Sequence, residues 1–170
     1  MGTPKATPRA TISQAISKIA DAARSVFERY STQRKVQDQV WEVSPAPASR
    51  PIFNRWGGIG YGKGYTRFLK DAREAVELLA DRSKWPRFTD GPILVVAEFV
   101  VEPPKTGGLD FPVGDTDNFA KGPLDVMTKS ERYWTDDKQI VGISAFKRYL
   151  LGKELPHVRL TWMPMITPTV

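Results

Sequence analysis

The longest apolar segment of this sequence is Ile93–Val101, which only Glu98 interrupts. A transmembrane helix needs about 20 apolar residues, so the segment is much too short to cross a bilayer. A short continuous apolar run rich in β-branched residues is typical of a strand that is covered on both faces. Pro103 and Pro104 follow and stop the strand from continuing. The segment therefore predicts a buried strand around which one domain packs.

Composition narrows the chemistry of the chain. Of its 170 residues, 41% are hydrophobic and 26% are charged, which suits a single globular core. Cysteine is absent and His157 is the only histidine. Disulfides, cysteine-ligated zinc and thiol catalysis are therefore excluded, and histidine-built metal sites or serine–histidine triads are disfavoured. Any metal chemistry has to rest on carboxylates.

Charge is unevenly distributed. The net charge of +6 favours a polyanionic partner. Residues 1–35 carry seven Lys or Arg against two acidic residues, whereas acidic side chains gather within 107–137. We expect a basic surface beside an acidic pocket. The first thirty residues lack the apolar core and cleavage site of a secretory signal, so we expect a cytoplasmic protein without a membrane partner.

The order of predicted elements favours an α+β fold. Thr11 and Gln14 form a capping box that opens an amphipathic N-terminal helix, which packs on the core, packs on a second subunit, or contacts DNA. Strands are predicted at 37–41, 93–101, 139–150 and 157–163, and helices from residue 66 and over 118–131, in the order β-α-β-α-β-β. The last two strands are expected to form a hairpin around Gly152. A small mixed sheet follows, because two strands succeed each other directly.

A glycine-rich stretch spans residues 57–64. It fails as a phosphate-binding loop, because Gly64 stands where a magnesium-binding Ser or Thr is required. Its neighbours Arg55 and Lys63, with the aromatic Trp56 and Tyr61, suit a loop that meets phosphates and stacks on bases. An ordinary surface loop fits the same residues equally well.

Carboxylates stand at the two junctions that flank the second predicted core helix. Asp115 and Asp117 follow the buried strand and point to the same side of an extended chain. Asp136 and Asp137 open the next strand, and we expect the helix, returning across the sheet, to bring them alongside the first pair. Converging carboxylates favour a bound magnesium ion, although Asp-x-Asp also suits helix caps and turns. Lys121 follows Asp117 by one helical turn and pairs with it or holds a phosphate.

Three segments carry a family resemblance. They read DTDNFAKGPLD at 115–125, YWTDDKQI at 133–140 and KRY at 147–149. This combination resembles the RusA family of Holliday junction resolvases, whose members show D-x-D-N-x-x-K-x-x-x-D, then an aspartate pair followed by x-Q, and a strand ending near K-R-Y. The resemblance is strongest over 113–149 and extends weakly over 37–165. Residues 1–35 then form an extension, and 36–170 a RusA-like nuclease domain.

The resemblance implies a magnesium-dependent endodeoxyribonuclease of a bacterial cell or its phage, acting as a homodimer that resolves four-way DNA junctions by paired symmetric incisions. A nuclease for flaps or forks and a non-catalytic junction-binding module are the alternatives. The implied catalytic residues are Asp115, Asp117, Lys121 and Asp137. The implied metal ligands are Asp115, Asp117 and Asp137, with Asp136 as a further candidate. The candidate DNA contacts are Arg55, Lys63, Arg67, Lys147 and Arg148.

Overall fold

The computed structural model describes residues 8–30, 36–53, 59–82 and 91–165. The helices are α1 (Pro8–Tyr30), α2 (Lys63–Arg82) and α3 (Thr116–Ser130), with a short 3-10 helix at Asp137–Gln139. The strands are β1 (Gln37–Trp41), β2 (Ile52–Phe53), β3 (Ile59–Gly60), β4 (Ile93–Val101), β5 (Ile140–Tyr149) and β6 (His157–Pro164). The predicted α+β class and the N-terminal helix are confirmed. Within these residues, no helix combines the length and the apolar character of a membrane span.

The main sheet has four strands in the order β1-β6-β4-β5. β4 is parallel to β5 and antiparallel to β6, so it has a partner on each side. The predicted hairpin of the last two strands is therefore wrong, because β5 and β6 flank β4 instead of pairing with each other. The physical reason is burial: β4 and β6 are the most apolar strands, and the fold places both inside the sheet.

One face of the sheet is covered by α2 and α3 and holds an aromatic core. Trp162 of β6 meets Trp134 and Tyr133 edge-on, with ring centroids 6.1 Å and 5.3 Å away. Phe68 and Val76 of α2 pack against the same core. Edge-to-face aromatic pairs add about 0.5–1.5 kcal/mol each beyond the burial of their surface. This face is the rigid platform from which α3 begins.

The opposite face of the sheet is covered by α1, through polar as well as small residues. Ser13, Ala20 and Arg24 are buried. The Arg24 guanidinium donates a 2.8 Å hydrogen bond to the buried carboxylate of Glu98. Three apolar residues of this amphipathic helix, Ile12, Ile19 and Val26, are exposed. The helix thus covers the sheet of its own chain, while the separation of 1–35 as an extension stays a prediction.

Candidate active site

Asp115 and Asp117 lie where the chain passes from the end of β4 into α3. Asp115 occupies the N-cap position with extended backbone, and its carboxylate makes no capping hydrogen bond. Its Oδ2 accepts a 3.4 Å hydrogen bond from Nδ2 of the Asn118 side-chain amide. Asp117 lies in the first turn of the helix, and both aspartates are exposed. The positive end of the helix dipole favours two negative charges here.

The loop before Asp115 is fixed from several directions. Gly114 has φ of +100°, and an added Cβ would lie only 2.9 Å from the Pro47 side chain. The Ala48 amide donates a 2.7 Å hydrogen bond to the Asn118 carbonyl. Lys147 of β5 donates from Nζ to the Gly114 carbonyl. The carboxylate pair therefore stands on a rigid support, and the ammonium of Lys147 belongs to that support. The predicted contact of Lys147 with DNA stays a prediction.

The N-terminal helix also reaches this loop. Arg9 donates 3.1 Å hydrogen bonds to the carbonyls of Gly107 and Leu109. Its guanidinium lies 4.9 Å from the ring centroid of Tyr149, whose hydroxyl donates to the Phe111 carbonyl at 2.9 Å. This link could not be predicted from sequence, because Arg9 and the loop are about a hundred residues apart. α1 therefore helps to hold the segment that leads into Asp115.

Lys121 is exposed one turn along α3 from Asp117. The residues that follow it turn inward: a Cβ on Gly122 would lie 2.8 Å from Phe68 and 3.0 Å from Tyr65 of α2. Glycine is needed here because α2 and α3 approach closely. Pro123 is buried and α3 continues through it, two positions beyond the lysine. The close packing fixes the helix, so Lys121 projects from the same end of α3 as the two aspartates.

Asp136 and Asp137 lie at the start of β5, and they have different environments. Asp136 caps the 3-10 helix, where Oδ1 accepts a 2.9 Å hydrogen bond from the Lys138 amide. The Gln139 side chain accepts from the Asp136 amide and completes a capping box. The backbone hydrogen bond from Lys138 lowers the pKa of Asp136 below its ordinary value. Asp137 is exposed and belongs to the 3-10 helix itself.

The two acidic pairs do not meet within one chain. α3 has 15 residues and is therefore about 22 Å long, and it separates Asp117 from the start of β5. Within the part of the chain that the structure describes, no three acidic or histidine side chains lie close enough to hold a metal ion. The expected convergence is therefore wrong for a single chain. In a β-α-β crossover, the C-terminal end of the first strand and the N-terminal start of the second lie at opposite ends of the two parallel strands.

The predicted DNA contacts at the start of α2 are exposed. Lys63 and Arg67 are exposed in the first turns of α2, with Arg67 3.7 Å from Asp71. Their helix start is tied to the carboxylate end, because Ser49 accepts a 2.8 Å hydrogen bond from the Gly62 amide beside the Ala48 contact. Arg55 lies outside the described residues.

Arg148 is a correction. Its side chain is 4% exposed, with hydrogen bonds of 2.7 Å to Glu98 and 2.6 Å to Glu154, so it cannot contact DNA. Burial alone would lower the pKa of the guanidinium, but the hydrogen bonds that it donates to the carboxylates of Glu154 and Glu98 raise it above its ordinary value. Neighbouring residues of a strand point to opposite faces, so Arg148 turns toward α1 where Lys147 turns toward α3.

The comparison with protein families agrees with the segments that carry the site. A family model described as Endodeoxyribonuclease RusA matches residues 42–161. The match includes α2, α3, both acidic pairs and most of the main sheet, and it leaves out α1. No curated protein matches the sequence.

Proposed function

The chain belongs to the RusA family of endodeoxyribonucleases, which resolve Holliday junctions, and from this premise we propose a magnesium-dependent homodimer that resolves four-way junctions by paired symmetric incisions. The observation that carries the proposal is that the carboxylates of one chain lie at opposite ends of the strands of its sheet. Asp115 and Asp117 lie at one end and Asp137 at the other, so a second copy is needed to bring the three carboxylates together.

The carboxylate ligands suit magnesium in kind, but one chain brings too few of them together. Carboxylate oxygens are the ligands that Mg²⁺ prefers in proteins. Asp115 and Asp117 are exposed, and the Asp115 carboxylate makes no capping hydrogen bond, so their oxygens are available. Among the residues that the structure describes, no third carboxylate lies close enough to complete a metal site with them. We propose that Asp137 of the partner subunit supplies it, and that two-fold symmetry makes a second, identical site.

The residues of the chain then divide the work of phosphodiester hydrolysis. The contacts of the loop around Gly114 position Asp115 and Asp117. Lys121 projects beside them and offsets the negative charge of the phosphate that is attacked. A magnesium ion, when bound, neutralises further phosphate charge. Asp136 acts within its capping box and keeps Asp137 in position.

Branched DNA reaches this site across basic surface. Lys63 and Arg67 lie at the start of α2, which is tied through residues 48 and 49 to the start of α3. Contacts from such side chains to DNA phosphates release counterions, so affinity falls steeply as salt rises. These residues give affinity without reading sequence, which suits an enzyme that selects its substrate by shape.

Mixed dimers test the division of the site between two copies. Asp117→Asn and Asp137→Asn should each abolish cleavage as homodimers. A mixed dimer of the two keeps one complete site, so equal mixing should restore nicking at about a quarter of the wild-type sites. The readout is Mg²⁺-dependent cleavage of a labelled four-way junction, run beside fork, flap and duplex substrates of matched sequence.

The control is the double variant Asp117→Asn/Asp137→Asn, which should restore nothing when mixed with either single variant. Failure of the two single variants to complement, with subunit exchange verified by a mass-tagged partner, would show that each site is built within one chain. Preferential cleavage of forks or flaps would instead favour the nuclease for other branched DNA.

A further inference from the structure

The loop between β4 and α3 exposes three large apolar side chains within five residues. Leu109 is 50% exposed, Phe111 46% and Val113 70%. Pro112 is buried between the last two, so the chain alternates there between the protein interior and solvent. We call residues 109–113 the apolar loop. Soluble proteins rarely gather exposed apolar side chains unless the surface binds something, so the apolar loop is a candidate binding surface.

The backbone of the apolar loop is fixed by the rest of the fold. The Leu109 carbonyl accepts a 3.1 Å hydrogen bond from Arg9, and the Phe111 carbonyl accepts one of 2.9 Å from the hydroxyl of the buried Tyr149. Lys147 donates to the carbonyl of the residue that follows the loop. A binding site needs this kind of support, because it has to hold its side chains in place against a ligand.

A positive charge lies against the apolar loop. The Lys147 ammonium is 5.9 Å from the ring centroid of Phe111. Within the part of the chain that the structure describes, no carboxylate forms an ion pair with Lys147. A cation beside exposed apolar side chains suits a ligand that combines negative phosphates with flat apolar faces, and nucleic-acid bases on their backbone have this chemistry.

The position of the apolar loop selects which part of the DNA it meets. Asp115 follows Phe111 by four residues, which span at most about 14 Å of chain. Bases along one strand are about 3.4 Å apart, so the loop reaches nucleotides within about four steps of a phosphate at Asp115. In intact duplex these bases are stacked and offer no free face. At a branch point the stacking is interrupted, and a base is freed at lower cost.

We propose that the apolar loop binds unstacked bases at the branch point of the DNA, with Phe111 stacked on one base and Val113 beside it, and that this contact selects branched DNA over duplex. Other DNA-binding proteins insert apolar side chains between bases in the same way. The basic residues at the start of α2 contact phosphates of any DNA, whereas the apolar loop adds affinity only where a base is free. The proposal rests on the proposed function, which places the scissile phosphate at Asp115 and Asp117.

Phe111→Ala tests the proposal through the ratio of junction to duplex affinity. In gel-shift titrations with EDTA, so that no strand is cut, it should lower junction affinity about tenfold and leave duplex affinity within about twofold. The dependence of junction affinity on salt should not change, because no charge is removed. The matched control is Leu78→Ala, which removes an exposed apolar side chain of α2 and should change neither affinity.

A second measurement follows the bases themselves. A junction with 2-aminopurine at the branch point fluoresces more strongly when that base unstacks. Saturating wild-type protein should raise the fluorescence, and Phe111→Ala should raise it about a third as much. Phe111→Trp keeps an aromatic face and should retain the junction preference. Circular dichroism verifies the fold of each variant, and Val113→Ser, at the most exposed of the three positions, gives the same test if Phe111→Ala does not fold.

The outcomes separate this contact from the proposed function. Equal losses of junction and duplex affinity in Phe111→Ala would overturn the proposal, because the loop would then not discriminate. A lower oligomeric state of this variant in analytical ultracentrifugation would make the apolar loop a contact between subunits and also overturn it. A wild type without junction preference would overturn the proposed function as well, whereas a preference that Phe111→Ala leaves intact would overturn the role of the apolar loop alone.

Discussion

The two acidic ends of the molecule are built in opposite ways. The Asp115 carboxylate makes no capping hydrogen bond, and the loop before it is held by Pro47, Ala48 and Lys147. At the other end, Asp136 is itself the support, because it caps the 3-10 helix that carries Asp137. The Asp136 carboxylate is occupied by a backbone hydrogen bond, whereas the Asp115 carboxylate has no capping hydrogen bond and can bind a metal ion. From this contrast we propose that Asp115, Asp117 and Asp137 act in the reaction and that Asp136 positions Asp137.

The largest effect is expected where a free carboxylate is removed. Asp117→Asn should lower cleavage by about 10²- to 10³-fold, because a metal-positioning group supplies several kcal/mol of transition-state stabilisation. Junction binding should persist, since Lys and Arg contacts to phosphate carry the affinity. Single-turnover cleavage and gel-shift titration on the same junction measure the two effects separately.

Asp125→Asn is the matched control for that variant. Asp125 lies two turns further along α3 and is half-buried; burial raises the pKa of Tyr65, and the charge of Asp125 raises it further. Its removal should leave the cleavage rate within about twofold of the wild type, as for other substitutions away from a site. Equal losses for Asp117→Asn and Asp125→Asn would mean that any charge change on α3 disturbs the enzyme, and the contrast between free and structural carboxylates would fail.

A smaller effect is expected from disturbing the support without touching a carboxylate. Gly114→Ala forces a side chain into a positive φ and against Pro47, at a cost of about 1–3 kcal/mol. The loop should yield, move Asp115 and lower cleavage by about tenfold, since small misplacements cost large factors in rate. The measurement is the cleavage rate at saturating protein, together with thermal unfolding.

Gly152→Ala isolates the backbone cost from the displacement. Gly152 also has a positive φ, of 58°, but open space surrounds its Cβ position. This variant should lose a similar amount of stability and keep its cleavage rate. Loss of cleavage in both variants would indicate that lower stability alone reduces activity. It would contradict a specific role of the loop around Gly114 in positioning Asp115.

Local sequence patterns were enough to predict the helices, the four strands of the main sheet and the candidate carboxylates. The apolar run around Phe99 and the helical position of Lys121 depend on residues close to them in the chain, so the sequence is enough to predict them. Asp136 and Gln139, three residues apart, match the sequence pattern of a capping box, which is a local sign that this aspartate supports the structure.

What sequence did not predict depends on the order of strands in the sheet. The position of β4 between β5 and β6 removes the expected hairpin and separates the acidic pairs, and neither result has a local signal. The burial of Arg148 likewise depends on Glu98, fifty residues away, and on α1 covering that face. A long-range partner decides whether a basic residue near a site meets DNA or completes an ion pair.

The smallest expected effect concerns the cap at Asp136 and its response to acid. Hydrogen bonding from the Lys138 amide lowers the pKa of Asp136 in the folded protein, so folding favours the ionised carboxylate. The stabilisation is therefore fully present above the unfolded pKa of about 3.8 and is lost as the pH falls through the lower, folded pKa. Thermal unfolding between pH 5 and about pH 2.5 should fall slightly more steeply for the wild type than for Asp136→Asn, whose amide caps without titrating. At neutral pH that variant should cleave close to the wild-type rate, whereas Asp137→Asn should not. A loss of cleavage in Asp136→Asn as deep as in Asp137→Asn, with unfolding unchanged, would move Asp136 from the support into the reacting set and make the two acidic ends alike.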